Sequence, residues 1–207
     1  MNYALLTKYH HSAASHNLPK AYHELGSLLI SLKTTECYEV AIYLSNADPK
    51  LLFGMGLWFT LDRLEQIGEH TTALRERHHL ELVEFNIFKL IREYRRMNLK
   101  IEASHLRLYT FAHPVDLERE LKPMTQPTSD QVRQLAGFVG GWAGVCLEKP
   151  NRLVTRSDWA SHEALQAFLL NEEKRGLREW YGSRAILVEE ASFHLQRLIP
   201  FPFLALK

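Results

Sequence analysis

Trp58-Phe-Thr60-Leu-Asp62-Arg-Leu64-Glu-Gln-Ile67 and Trp159-Ala-Ser161-His-Glu163-Ala-Leu165-Gln-Ala-Phe168 carry one pattern twice, 101 residues apart. In each, a tryptophan stands two residues before a Thr or Ser suited to cap a helix, and an acid follows at the second helical position. Apolar residues then recur at matching places. Identity between the two stretches is low, so the order of elements around them is what argues for a doubled chain.

Working outward, Asn2 to His11 reads as a strand. Pro19 to Lys33 reads as a helix, because Leu25, Leu28, Leu29 and Leu32 recur at helical spacing and Pro19 suits a first turn. Tyr38, Val40, Ile42 and Leu44 alternate with other residues at strand period, and Asn46-Ala-Asp48-Pro49 turns the chain into a second apolar strand, Leu51 to Phe59. Leu61 to about Arg77 is helical. Leu80 to Ile91 returns as a strand with Val83, Phe85, Ile87 and Ile91 expected on one face. The order β-α-β-β-α-β then recurs: strand His105–Ala112, a helix from Val115 to Leu135 broken at Pro123 and Pro127, strand Phe138–Leu147, strand Arg152–Ser157, helix Glu163–Tyr181 and strand Ala185–Ile199. The expected organisation is a ferredoxin-type repeat over 1–91, a linker over 92–104, a second repeat over 105–199 and an apolar tail over 200–207. Such a unit has helices on one sheet face only, so the other face needs a cover, and a second copy supplies one. The fold class expected is α+β: two ferredoxin-like βαββαβ repeats packed sheet-to-sheet as a pseudo-dimeric α/β barrel.

The 207 residues hold 25 Lys plus Arg against 24 Asp plus Glu, a net of +1. That balance argues against nucleic acid or an anionic membrane surface as the main partner. No apolar run approaches the ~18 residues a membrane span needs. The start of the chain is too polar for a secretory signal, and two cysteines, Cys37 and Cys146, make no disulfide framework, so reduced thiols and a cytoplasmic location are expected. The tail Pro200-Phe-Pro-Phe-Leu-Ala-Leu206 is too apolar for free solution and is expected to dock on the body or on a second subunit of a homodimer.

Gly137-Phe-Val-Gly140-Gly-Trp142, then Lys149-Pro150-Asn151-Arg152-Leu-Val154, then Trp159-Ala-Ser161-His-Glu163-Ala-Leu165 resemble the antibiotic biosynthesis monooxygenase family over roughly residues 105 to 190. Residues 2 to 91 match it chiefly through element order and Trp58-x-Thr60. The resemblance implies a dimeric α/β-barrel fold, here supplied by one chain. It also implies one of three activities: cofactor-free monooxygenation of quinols or polyketide-like aromatics, heme degradation, or none recorded. The chain departs from the heme-degrading pattern, because its tryptophans precede the second helix. His78 or His79 could meet the proximal position in the first half, whereas Glu172-Glu-Lys-Arg-Gly-Leu177 offers no histidine in the second. His70 can fill the family's second-helix histidine position, which Phe168 occupies in the second half.

Seven of the eleven histidines lie in the first half. His10 and His11 end the first strand and point to opposite faces, and His113 sits at the equivalent end of the fifth. His10 and His113 are therefore candidates for one pocket mouth, as a general base or a ligand, or else plain surface histidines. His78 and His79 have a second account as dipole partners at a helix C-terminus. Trp58, Trp142 and Trp159 could line an aromatic pocket or simply pack the core. No zinc motif, phosphate loop, redox Cys-x-x-Cys or hydrolase elbow appears. The function expected is a cofactor-independent, monooxygenase-type reaction on a small planar aromatic or quinol-type molecule. In it His10 and His70 would be catalytic, Trp58, His113 and Trp142 would bind substrate, and there would be no metal. The alternatives are heme binding or degradation through His70, His78 or His79, and a non-catalytic module that binds a small ligand or a partner.

Overall fold

A computed structural model describes residues 2–11, 37–48, 50–59, 61, 80–96, 99–114, 116, 119–120, 130–172 and 184–193. The expected helices over 19–33 and 61–77, most of the helix over 115–135, the stretch 173–183 and the tail 200–207 lie outside the described residues. The chain divides into two compact units, one built on Met1–Lys89 and one on Leu90–Ser192.

In the first unit β1 (Tyr3–His11), β2 (Cys37–Ser45), β3 (Leu51–Trp58) and β4 (Leu80–Arg95, through Lys89) form an antiparallel sheet. β1 lies between β3 and β4, and β2 pairs the far side of β3. One face carries Leu5, Tyr9, Val40, Ile42, Leu52, Trp58, Leu80 and Ile87 as a buried apolar cluster. Burying a side chain of this size contributes about 1.5–3 kcal/mol. The strand β4 departs from the expected alternation at one place. The pairing slips between Lys8 and Tyr9, so that Lys8 faces Glu84 while Tyr9 faces Leu82. Val83 is the extra residue and is half exposed, and Leu82 takes the core position expected of it.

The second unit holds β5 (Ala103–Phe111), β6 (Phe138–Cys146), β7 (Arg152–Trp159), helix α1 (His162–Glu172) and β8 (Ala185–Phe193). β5 lies between β7 and β8, and β6 pairs the far side of β7, all antiparallel. The order fourth–first–third–second is thus found in each sheet. β4 runs to Arg95, so residues 92–95 of the expected linker are strand, and the Arg96 N–H donates to the Val139 carbonyl at 2.8 Å. The strand β7 runs two residues beyond its expected end and stops on Trp159.

The entry to α1 follows from its sequence. The Ser161 hydroxyl accepts the Ala164 N–H at 3.2 Å, an N-cap, and Glu163 supplies first-turn negative charge. Ala164, Leu165, Phe168 and Leu169 then pack with Ala103, Phe138 and Trp159. Gly137 makes that approach possible: its φ is +80°, and a Cβ there would lie 2.5 Å from the Ala164 Cβ. Gly137→Ala is therefore expected to destabilise the protein by about 1–3 kcal/mol through backbone strain and overpacking. A chemical-denaturation midpoint reads this directly.

Candidate functional site

In the second sheet, residues facing the same way are fixed by the pairings. Ala103, His105, Arg107 and Tyr109 of β5 lie opposite Trp159, Ser157, Thr155 and Leu153 of β7, which lie opposite Phe138, Gly141, Ala143 and Val145 of β6. α1 packs on the Trp159 end of this face. An aromatic cluster of Trp159, Phe138 and Phe168 closes one end, with ring centroids 5.4 and 4.8 Å apart. Tyr109, Phe111, Val145 and Leu153 close the other. Between them Gly141, Ala143, Thr155 and Ser157 form a floor of small residues, each only half-buried. Strand geometry makes that floor about 7 Å long and about 10 Å wide from β5 to β6.

His105 and Arg107 border this floor. His105 is 3% exposed, and neither ring nitrogen has a hydrogen-bond partner among the described residues. A buried polar group left unpartnered costs about 1–3 kcal/mol, so the fold carries it at a loss. Burial, and then the neighbouring Arg107 guanidinium, pull its pKa down to about 4 against a smaller upward pull from Glu190. The imidazole is therefore neutral at physiological pH and keeps one donor and one acceptor nitrogen. Arg107 is itself fixed: its Nε donates to the Glu190 carboxylate on β8 at 2.8 Å.

The opposite face of the same sheet carries a second buried polar set. Arg156 Nε donates to Asp158 Oδ1 at 2.6 Å and to Ser104 Oγ at 3.1 Å, and the Ser104 hydroxyl donates to Asp158 Oδ1 at 2.6 Å. Trp142 lies across from Arg156 on this face, and its indole N–H is buried without a partner among the described residues. Arg152 pairs with Glu189 at 3.4 Å at the far end.

The residues singled out from sequence are scattered relative to this floor. Trp58 is buried in the apolar cluster of the first sheet. Trp142 is buried, but on the sheet face opposite His105. His10, next to last in β1, is half-buried on the face opposite Trp58, while His11 beside it is buried. His113 lies past the end of β5 and is exposed. His70, His78 and His79 lie outside the described residues. Sequence reasoning passed over His105, Arg107 and Glu190. The signal for them was a histidine and an arginine at alternate positions of an otherwise apolar strand, Ala103-Ser-His-Leu-Arg-Leu-Tyr-Thr-Phe111. Cys146 is buried, which pushes its thiol pKa up and disfavours a reactive thiolate. Among the described residues no group of three or more His, Cys, Asp or Glu is placed to hold a metal ion, and no described helix is long and apolar enough to cross a membrane.

No family model matches the chain, and no curated protein matches it in sequence. Solved structures do match over nearly the whole length. An anthrone oxidase-like protein superposes with a TM-score of 0.65 at 9% identity, over 95% of this chain and 93% of its own. A ferredoxin-fold protein related to antibiotic biosynthesis monooxygenases, from Listeria monocytogenes 4b F2365, gives 0.54 at 13% identity over 95% of each chain. A heme-degrading enzyme from Listeria monocytogenes gives 0.51 at 9% identity, over 93% of this chain and 99% of its own. At these identities the likeness is one of fold.

Proposed function

We propose that the chain is a tandem of two monooxygenase-like units whose second unit binds a small planar phenol, quinol or enol and promotes its reaction with molecular oxygen without a bound cofactor. The observation that carries this reading is His105: a neutral, buried imidazole with no hydrogen-bond partner among the described residues, bordering a half-open floor between two aromatic clusters. The fold shared with an anthrone oxidase-like protein and a relative of antibiotic biosynthesis monooxygenases supports it.

The chemistry needs a proton acceptor, a place for the resulting anion and a dry setting. His105 accepts the hydroxyl proton of the substrate. Arg107, two residues along the same face and about 7 Å away, favours the oxyanion. The basicity of His105 rises once that anion forms beside it, since the imidazolium gains a counter-ion that the empty site lacks. Oxygen then takes electrons from the anion. At the ring carbon that the keto tautomer of the substrate carries as a methylene, one oxygen atom replaces both hydrogens as a ketone and the other leaves as water, so the substrate supplies all four electrons and no external reductant is needed. His105 replaces His10 as the first candidate base, because His10 lies at a strand end of the first unit, on the face of its own sheet away from Trp58.

The pH profile tests the assignment. The acid limb of kcat/KM reports the free enzyme's base, so it is expected near pH 4 rather than 6.5. Arg107→Gln removes a charge that lowers the His105 pKa and leaves Glu190, which raises it, so the limb should move up in pH. A limb at pH 6.5 in the wild type, unmoved in the variant, removes His105 from the reaction. The same imidazole could also ligate a heme iron. Added hemin giving a Soret band that His105→Ala abolishes would favour that reading instead.

A further inference from the structure

Trp58 and Trp159 end the third strand of their respective sheets, and each lies across from the first described residues of the central strand, Tyr3 and Ala103. Two positions earlier, on the same face, the two units differ. Gly56 lies between Leu5 and Val40. Ser157 lies between His105 and Gly141.

That one difference goes with two ring positions. A Cβ on Gly56 would lie 2.0 and 2.1 Å from two atoms of the Trp58 six-membered ring, so the ring rests on the glycine backbone. In the second unit the Ser157 side chain stands in that place. Its hydroxyl accepts the Trp159 indole N–H at 3.0 Å, and the ring stacks with Phe168 of α1. The sheets differ accordingly. Val40, Ile42, Gly54 and Gly56 are all buried, whereas their counterparts Gly141, Ala143, Thr155 and Ser157 are all half-buried. The polar requirements differ too. Where the second unit has Arg107, the first has Thr7, whose hydroxyl is satisfied by the Gly54 carbonyl at 3.1 Å. Where the second has His105, whose ring nitrogens have no hydrogen-bond partner among the described residues, the first has Leu5.

Resting on the functional reading of the second unit, we infer that the chain binds one planar phenolic ligand and not two, and that the residue two before each tryptophan decides this. Gly56 lets Trp58 lie on the sheet and fill the floor of the first unit. Ser157 holds Trp159 away and keeps the second floor open. Ser157 is thus a positioning residue for the pocket, and the first unit is closed by its own tryptophan.

Ser157→Gly and Gly56→Ser test this in the full chain, with 2-naphthol as the probe by isothermal titration and crystal structures of both variants. The wild type should bind one equivalent. Ser157→Gly should lose about tenfold or more in affinity, with the Trp159 ring found over residue 157. Gly56→Ser should lift the Trp58 ring from residue 56. Two equivalents in the wild type, or a Trp159 ring unmoved in Ser157→Gly, overturns the inference. If 2-naphthol binds no form, the functional reading fails, while the Trp159 position in Ser157→Gly still decides whether the serine sets the ring. Should Gly56→Ser fail to fold, the Ser157→Gly arm stands alone.

Discussion

His105→Ala is expected to lower oxygen uptake with a responsive quinol or naphthol by about 10²–10⁴-fold, the usual contribution of a positioned proton acceptor. Stability should change little by comparison. Truncation leaves a cavity, but it also removes two buried ring nitrogens that have no partner among the described residues, and the two effects oppose each other. Loss of activity with the unfolding midpoint retained separates a chemical role from a structural one. Free imidazole supplied to the variant should restore part of the rate, because the truncated space matches its ring. A variant that keeps wild-type uptake would show that the buried imidazole is a packing residue only. The wild type carries a further signature of the same group. The His105 pKa is depressed in the fold, so its contribution is fully present above the unfolded value of 6.5 and is lost as pH falls from there towards about 4. Acid unfolding should therefore begin in that window and be blunted in His105→Ala.

The second large effect concerns the opposite face of the same sheet. Asp158→Ala should cost about 3–5 kcal/mol, because it removes the carboxylate that lies 2.6 Å from the Nε of the fully buried Arg156 side chain. Ser104, which donates to Asp158 and accepts from Arg156, cannot replace the charge. The paired replacement Arg156→Met with Asp158→Leu removes both charges together. It is expected to restore most of the stability, since a buried ion pair is often no better than well-packed apolar residues. Urea unfolding of the single and double variants measures both. Equal losses in the two would mean that the sheet needs the ion pair itself and not merely charge neutrality.

Much of the strand layout was legible from residue alternation. Tyr38 to Leu44 alternates cleanly, and β2 spans it. The recurrence of Trp58 and Trp159 was legible as well, because both positions need a large apolar side chain at the end of a third strand. What the sequence withheld was register. Glu190 lies 83 residues from Arg107, and nothing local shows that they face each other across β5 and β8. The same gap hid the bulge at Val83, which shifts the face of every residue beyond it. His105 was missed for a related reason. A polar residue alternating with leucines ordinarily marks a solvent face, and only the cluster that α1 makes at one end and the cluster at the other end show that His105 itself is buried. The strand-end histidines drew attention because His10 and His113 stand at equivalent ends of the first and fifth strands, yet His113 is exposed and His10 is on the opposite sheet face from Trp58.

An anaerobic titration bears on the central claim most directly. With oxygen excluded, 2-naphthol bound to the wild-type protein at pH 7 should show a naphtholate component in its absorption, because His105 takes up the proton in part of the complexes and Arg107 favours the charge; His105→Ala should bind the probe with the spectrum of the neutral naphthol. A neutral spectrum at saturating wild-type protein, or an anion band that persists in the variant, would contradict the account.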